Sequence, residues 1–136
     1  MIFLSATGRK IKVNSSKYVV DWDAKSRSKL QASVKQILKE VWRGDRVFEE
    51  FPVVGTRMTI DFYNATQEVA IEVDGKQHIE FNKFFHRGNR MNFLDQLKRD
   101  DKKEIFCEDN GIKLYRIYEG EDLSESVQKI LDDYEK

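Results

Sequence analysis

Asp61 and Glu72 are the residues of this chain best suited to metal-assisted chemistry. Asp61 lies in Ile60-Asp61-Phe62-Tyr63 and Glu72 in Ile71-Glu72-Val73-Asp74-Gly75, two apolar, strand-like runs separated by a short turn. A carboxylate inside such a run is costly unless it is paired or binds a metal. Antiparallel pairing of the two runs brings Asp61 and Glu72 together, and like charges that close repel each other. A cation between them relieves the repulsion. Magnesium takes oxygen ligands, usually one or two carboxylates, with waters and substrate phosphate filling the shell. The backbone carbonyl of Val73 is a further candidate ligand, and Asp74 is placed to extend the site to a second metal. Such an ion polarises a phosphodiester and steadies its leaving oxygen. Beyond Gly75, Lys76 or His78 can orient a water or offset charge on the phosphate. The same spacing also fits acids on an exposed sheet rim, partnered by Lys76, Lys83 or Arg90.

The elements that must hold these residues follow from periodicity. Leu30, Val34, Ile37, Leu38 and Val41 form one helical face across residues 29–42, with Ser26 or Ser28 as cap and Gly44 as stop. Gln31 flanks that stripe, placed either to look into the sheet beside Leu30 or simply as a boundary glutamine. Strands are expected over residues 47–53, 58–63 and 68–73. In the second of these, alternation places Thr59, Asp61 and Tyr63 on one face, Ile60 and Phe62 on the other. Residues 76–92 show no clean period. Basic and aromatic side chains mix there, and the segment reads equally as a loop whose Lys83, Arg87 and Arg90 touch DNA phosphates or as a surface loop without that role. Residues 90–110 are helical, anchored by Phe93, Leu94, Leu97, Ile105 and Cys107, with Lys103 within reach of Asp100. A strand over 112–118 follows, then a last helix with Leu123, Val127, Ile130, Leu131 and Tyr134 on one face. Short strands near residues 2–4, 11–13 and 18–20 precede all of this. The order predicts an α/β or α+β fold, a mixed central sheet flanked by helices, with α/β preferred.

A chain of 136 residues is enough for one domain with one core. Formal net charge is zero, but residues 119–136 hold seven acids against two bases, leaving the rest of the chain at +5. That division suits a basic working face with an acidic last helix pointing elsewhere. No apolar run is long enough to span a membrane, and the N-terminus lacks the features of a secretory signal. The lone cysteine, Cys107, excludes an intrachain disulfide and fits a reducing compartment. There is no Gly-rich phosphate loop, no zinc-type Cys/His spacing and no serine nucleophile elbow.

Asp61, the run Glu72-Val73-Asp74-Gly75-Lys76-Gln77-His78, the helix opening Ser28-Lys29-Leu30-Gln31, the stretch from Asp100 to Lys103, and Asn110-Gly111-Ile112 with Leu114-Tyr115-Arg116-Ile117 together resemble the PD-(D/E)XK nuclease superfamily. The closer likeness is to its very-short-patch-repair-like branch, which includes the phage homing endonucleases of the EDxHD type. It covers roughly residues 18–118. The resemblance implies a restriction-endonuclease-like sheet and cleavage of double-stranded DNA with magnesium or manganese. It implies Asp61 as principal metal ligand, Glu72 as second acid, and a single nuclease domain. In that domain residues 1–22 are N-terminal strands, 23–118 the catalytic core and 119–136 the acidic helix. A homodimer would let one site per chain cut both strands. The setting implied is the cytoplasm of a phage-infected or bacterial cell. A repair or junction-resolving nuclease, or a binding protein that kept only the fold, are the alternatives. The sequence departs from the family in two places. Asp74 stands where the family carries its lysine, so Lys76 or His78 would take that role, and Gln31 stands where relatives often carry a glutamate. Glu49 or Glu50 is a substitute carboxylate; alternation lets only one face the site, and Glu50 is preferred.

Overall fold

The computed structural model describes residues 1–75 and 89–135, the side chains of 89–97 and 100 excepted. The chain runs β1 (Ile2–Leu4), β2 (Lys10–Lys12), a 3-10 turn (Ser15–Lys17), α1 (Lys29–Val41), β3 (Val47–Pro52), β4 (Thr59–Asn64), β5 (Val69–Asp74), α2 (Asn89–Asp109), β6 (Lys113–Tyr118) and α3 (Leu123–Tyr134). β3, β4 and β5 form an antiparallel meander, and β6 joins it parallel to β5, in the order β3-β4-β5-β6. This is the α/β architecture with a mixed sheet that the periodicity implies. A parallel neighbour needs a crossover connection, and α2 lies in that crossover. β1 and β2 make a separate two-stranded hairpin. Val19 contributes only an isolated bridge to Phe48, not the strand expected at 18–20.

Two apolar layers cover the sheet. One contains Phe3 and Val13 of the hairpin region, Phe48, Phe51, Ile60, Tyr63 and Ala70 from the sheet, and Phe106 and Cys107 from α2. Its rings pack edge to face, tilted or stacked, as for Phe3 edge to face with Phe51 at 5.2 Å and Phe48 stacked on Tyr63 at 5.9 Å. The other contains Val34, Leu38 and Trp42 of α1, Val47, Phe62, Val69, Ile71 and Ile117 of the sheet, and Val127, Ile130 and Leu131 of α3. α1 and α3 therefore share one face of the sheet, and α2 with the hairpin takes the other. Asn110 ties hairpin to helix: its amide donates to the carbonyls of Leu4 and Phe106 and accepts from the Leu4 N–H. Gly111, at φ +70°, ends α2, and the Ile112 N–H returns to the Cys107 carbonyl.

Three details differ from the periodic reading. In α2 the buried anchors near the C-terminus are Phe106 and Cys107, while Ile105 is exposed; Phe93, Leu94 and Leu97 lie outside the described side chains. In α1 the buried face is Gln31, Val34, Lys35 and Leu38, so it admits two polar residues and leaves Val41 exposed. In β3 and β4 the strict alternation fails. Phe48 and Phe51, three apart, enter the same apolar layer, as do Ile60 and Tyr63. The cause is local: Glu50 has φ +52°, and the β3–β4 register skips the Glu50–Asp61 position.

Candidate active site

The sheet parts at Asp61. The β4–β5 register ends at Phe62 opposite Ile71. One step further, Asp61 and Glu72 face each other without a strand bridge. The Val73 N–H donates to Asp61 Oδ2 at 2.8 Å instead of to a strand carbonyl. Both acids are buried, Asp61 at 8% and Glu72 at 3% exposure. The resulting cleft, about 480 Å³, is also lined by Gln31, Val73, Asp74 and Lys103.

Lys103 is the cleft residue that the linear pattern does not bring to the acids. Its ammonium lies 2.8 Å from Glu72 Oε1, with its side chain 18% exposed. A helical stripe suggests a partner on the same helix. The crossover instead lays α2 over the face that carries Glu72, so a residue 31 positions along the chain supplies the cation. The available signal was weak: a lysine two turns from the helix end, on the side of the core residues Phe106 and Cys107.

Burial first and the Asp61 charge second push the Glu72 carboxyl up to about 8, against the opposing pull of Lys103. Asp61 is also raised by burial, and the Val73 N–H holds it down. The pair is close enough for a protonated Glu72 to donate a hydrogen bond to ionised Asp61. Two carboxyls this close resist ionising together, so they either share a proton or share a cation.

Gln31 is positioned by its own backbone. Ser28 caps α1 by accepting from the Gln31 N–H at 3.1 Å. The Gln31 side-chain amide then donates to Glu49 Oε2 at 2.8 Å and to Glu50 Oε1 at 3.1 Å. Alternation allowed only one of these acids to face this region; the left-handed backbone at Glu50 turns both onto Gln31. Glu49 is further held by the buried Lys35 at 2.8 Å and by Ser26. Glu50 accepts from Thr59 and pairs with Arg27 at 3.4 Å. With its nitrogen so engaged, Gln31 lines the cleft.

Asp74 lines the cleft too, with its carboxylate 3.6 Å from Arg116 Nε; Arg116 also reaches Glu104. Among the described residues no group of three His, Cys, Asp or Glu side chains is arranged to hold a metal ion. Two carboxylates are enough for magnesium when water and phosphate complete its shell. Asp61 Oδ1 and Glu72 Oε2 are the oxygens outside the Val73 and Lys103 contacts. This donor set therefore fits one divalent cation. Lys76, His78, Lys83 and Arg87 lie outside the described residues, and Arg90 sits in the first turn of α2 with its side chain outside them.

The comparisons with known proteins lead to viruses. The chain is 39% identical over 66 residues to uncharacterized protein 033L of Invertebrate iridescent virus 3, covering 48% of this chain and 34% of that protein. It is 35% identical over 81 residues to uncharacterized protein 094L of Frog virus 3, covering 59% and 52%. Uncharacterized protein 307L of Invertebrate iridescent virus 6 is 33% identical over 60 residues, covering 44% and 30%. The chain thus spans about a third to a half of the length of these relatives. No family model matches it. No solved structure matches it. Among the described residues no helix is long and apolar enough to cross a membrane.

Proposed function

We propose that this chain is a metal-dependent DNA endonuclease that hydrolyses phosphodiester bonds in the cleft between β4 and β5. One observation carries the reading: two buried carboxylates opposed where the sheet parts, with a partly buried ammonium on one of them. A purely structural arrangement would pair these acids more cheaply, because a buried like-charged pair is destabilising unless something cationic completes it. The PD-(D/E)XK resemblance supplies the substrate class. Asp61 and Glu72 would hold magnesium or manganese, which, when bound, supplies Lewis-acid polarisation of the phosphodiester.

The chain's own residues do the rest. Asp61, oriented by the Val73 N–H, fixes one side of the cation site. Glu72 gives up its proton when a cation enters. Lys103 favours the ionised form of Glu72 and is placed to offset the negative charge that would build up on a phosphate there. This gives Lys103 the role that the sequence divided between Lys76 and His78. Gln31, anchored by Glu49 and Glu50, presents a carbonyl that accepts from an attacking water.

The test is cleavage of supercoiled and linear DNA in magnesium and in manganese by the native chain, Asp61→Ala and Glu72→Ala. The native protein is expected to nick or cut, and each variant to lose roughly a hundredfold or more, the scale of removing a charge-stabilising group. Equal activity in all three, or none in the native protein with either metal, overturns the reading.

A further inference from the structure

We propose that a second, cationic cleft beside the acid pair binds the sugar-phosphate backbone of the DNA strand leading into the site. The ligand's identity rests on the nuclease reading; the surface itself does not. This cleft, about 500 Å³, meets the first at Arg27, Asp61 and Lys103 and extends away from it. Its charged lining is Arg27, Arg57, Arg99, Lys102 and Lys103 against the single acid Asp61. The neighbouring cleft reverses that balance, with Asp61, Glu72, Asp74 and Glu119 facing Arg27 and Lys103. One continuous surface therefore passes from an acidic, cation-seeking end to a basic, anion-seeking end, with Asp61 at the junction.

The bases of the second cleft divide into two groups. Arg27 pairs with Glu50 and Lys103 with Glu72, so both are spoken for within the fold. Arg57, Arg99 and Lys102 are exposed, and none makes an ion pair among the described residues. They come from separate elements. Arg57 is in the turn between β3 and β4, while Arg99 and Lys102 are one helical turn apart on α2. Like charges brought together from two elements repel, and among the described residues Asp61 is the single acid lining the cleft with them. A solvated surface disperses its charges; a polyanion site gathers them, and a concave wall focuses their field. The repeating charge of a nucleic-acid strand satisfies several such cations at once, which a single carboxylate ligand does not. A strand with one phosphate at Asp61 and Glu72 has its neighbouring phosphates over Arg57, Arg99 and Lys102. These three are a different set from Lys83, Arg87 and Arg90, the bases that the sequence pattern singles out.

The experiment measures fluorescence anisotropy of a short labelled DNA duplex across a salt series without divalent metal, so that no strand is cut. It compares the native chain, the triple variant Arg57→Ala/Arg99→Ala/Lys102→Ala, and a control of equal charge change, Lys10→Ala/Lys12→Ala/Lys17→Ala, whose residues line neither cleft. All six positions are exposed, so the variants are expected to fold. The cleft variant is expected to bind about tenfold or more weakly at low salt. Its slope of log K against log salt is expected to be shallower by about three, one for each phosphate that is no longer neutralised. The control is expected to match the native slope. A cleft variant with native affinity and slope overturns the proposal, as does a native chain that does not bind the duplex or a control that weakens as much. Cleavage in magnesium is scored separately. Binding through the cleft without cleavage in either metal sinks the nuclease reading alone, and cleavage with an unchanged cleft variant sinks the cleft alone.

Discussion

A buried carboxyl beside another carboxyl must keep a proton or find a cation, and Glu72 has access to both. Its partner Asp61 and its burial favour the proton; Lys103 favours the charge. The sign of the pH dependence follows. Unfolded, Glu72 titrates near 4.5, and folded near 8. Between those values the folded protein holds a proton that the unfolded chain has released, so stability falls as pH rises. The metal-free protein, kept in chelator, is expected to show a thermal midpoint that drops from about pH 5 to about pH 8. Glu72→Gln, which cannot ionise, is expected to flatten that drop, and a native profile already flat across the window would show that Glu72 is ionised throughout. Lys103 carries a second prediction. Lys103→Gln is expected to lower the cleavage rate roughly a hundredfold while the chain stays folded. If it cuts at the native rate, the role returns to Lys76 or His78, whose own alanine variants then become decisive. Asp61 opposite Glu72 was legible in the sequence because strand alternation and a short turn fix which residues meet across a hairpin. Lys103 was not, because its pairing with Glu72 depends on how the crossover lays α2 on the sheet, and helical spacing carries no information about it.

At the level of elements, the first turn of α1 and the middle of β3 act as one support. Ser28 sets the start of the helix, Gln31 bridges to Glu49 and Glu50, and Lys35, 1% exposed, closes on Glu49 and donates to the Ala24 carbonyl. The helix itself was readable from its cap and its apolar spacing. Its polar underside was not, since a lysine next to an apolar stripe is usually solvated. The turn at Glu50 was equally hidden: a glutamate with φ +52° has no mark in the sequence, and it alone defeats the rule that neighbours on a strand face opposite ways. The network predicts its own cost. Removing one partner of a buried pair leaves the other charge uncompensated. Lys35→Ala is expected to lower the unfolding free energy by about 3 kcal/mol in urea denaturation. It is also expected to slow cleavage, because Glu49, without its ammonium partner, no longer holds Gln31 in one place. A loss under about 0.5 kcal/mol, the scale of an ordinary surface substitution, would mean that water reaches Glu49 and that the support is looser than its geometry.

Across the whole molecule, the two apolar layers divide the labour. The layer beneath α2 and the hairpin carries Lys103 to Glu72, so packing there is tied to the site. The layer between α1, α3 and the sheet reaches the site through the first turn of α1 and through Val73. The acidic α3 belongs to that second layer. Damage to the α3 end should therefore lower stability without changing chemistry. Ile130, 7% exposed, packs in this layer among residues of α1 and the sheet. Ile130→Ala removes buried methylene groups and leaves a cavity at the rim, where the surroundings can partly collapse, so a loss near the low end of the usual range, about 2 kcal/mol, is expected. The rate of cleavage and the salt slope of duplex binding, both measured well below the unfolding midpoint, are expected to stay native. If Ile130→Ala slows cleavage while the protein remains folded, the two layers are coupled through α1, and Gln31 would be the first residue to examine for a shifted hydrogen bond to Glu49 and Glu50.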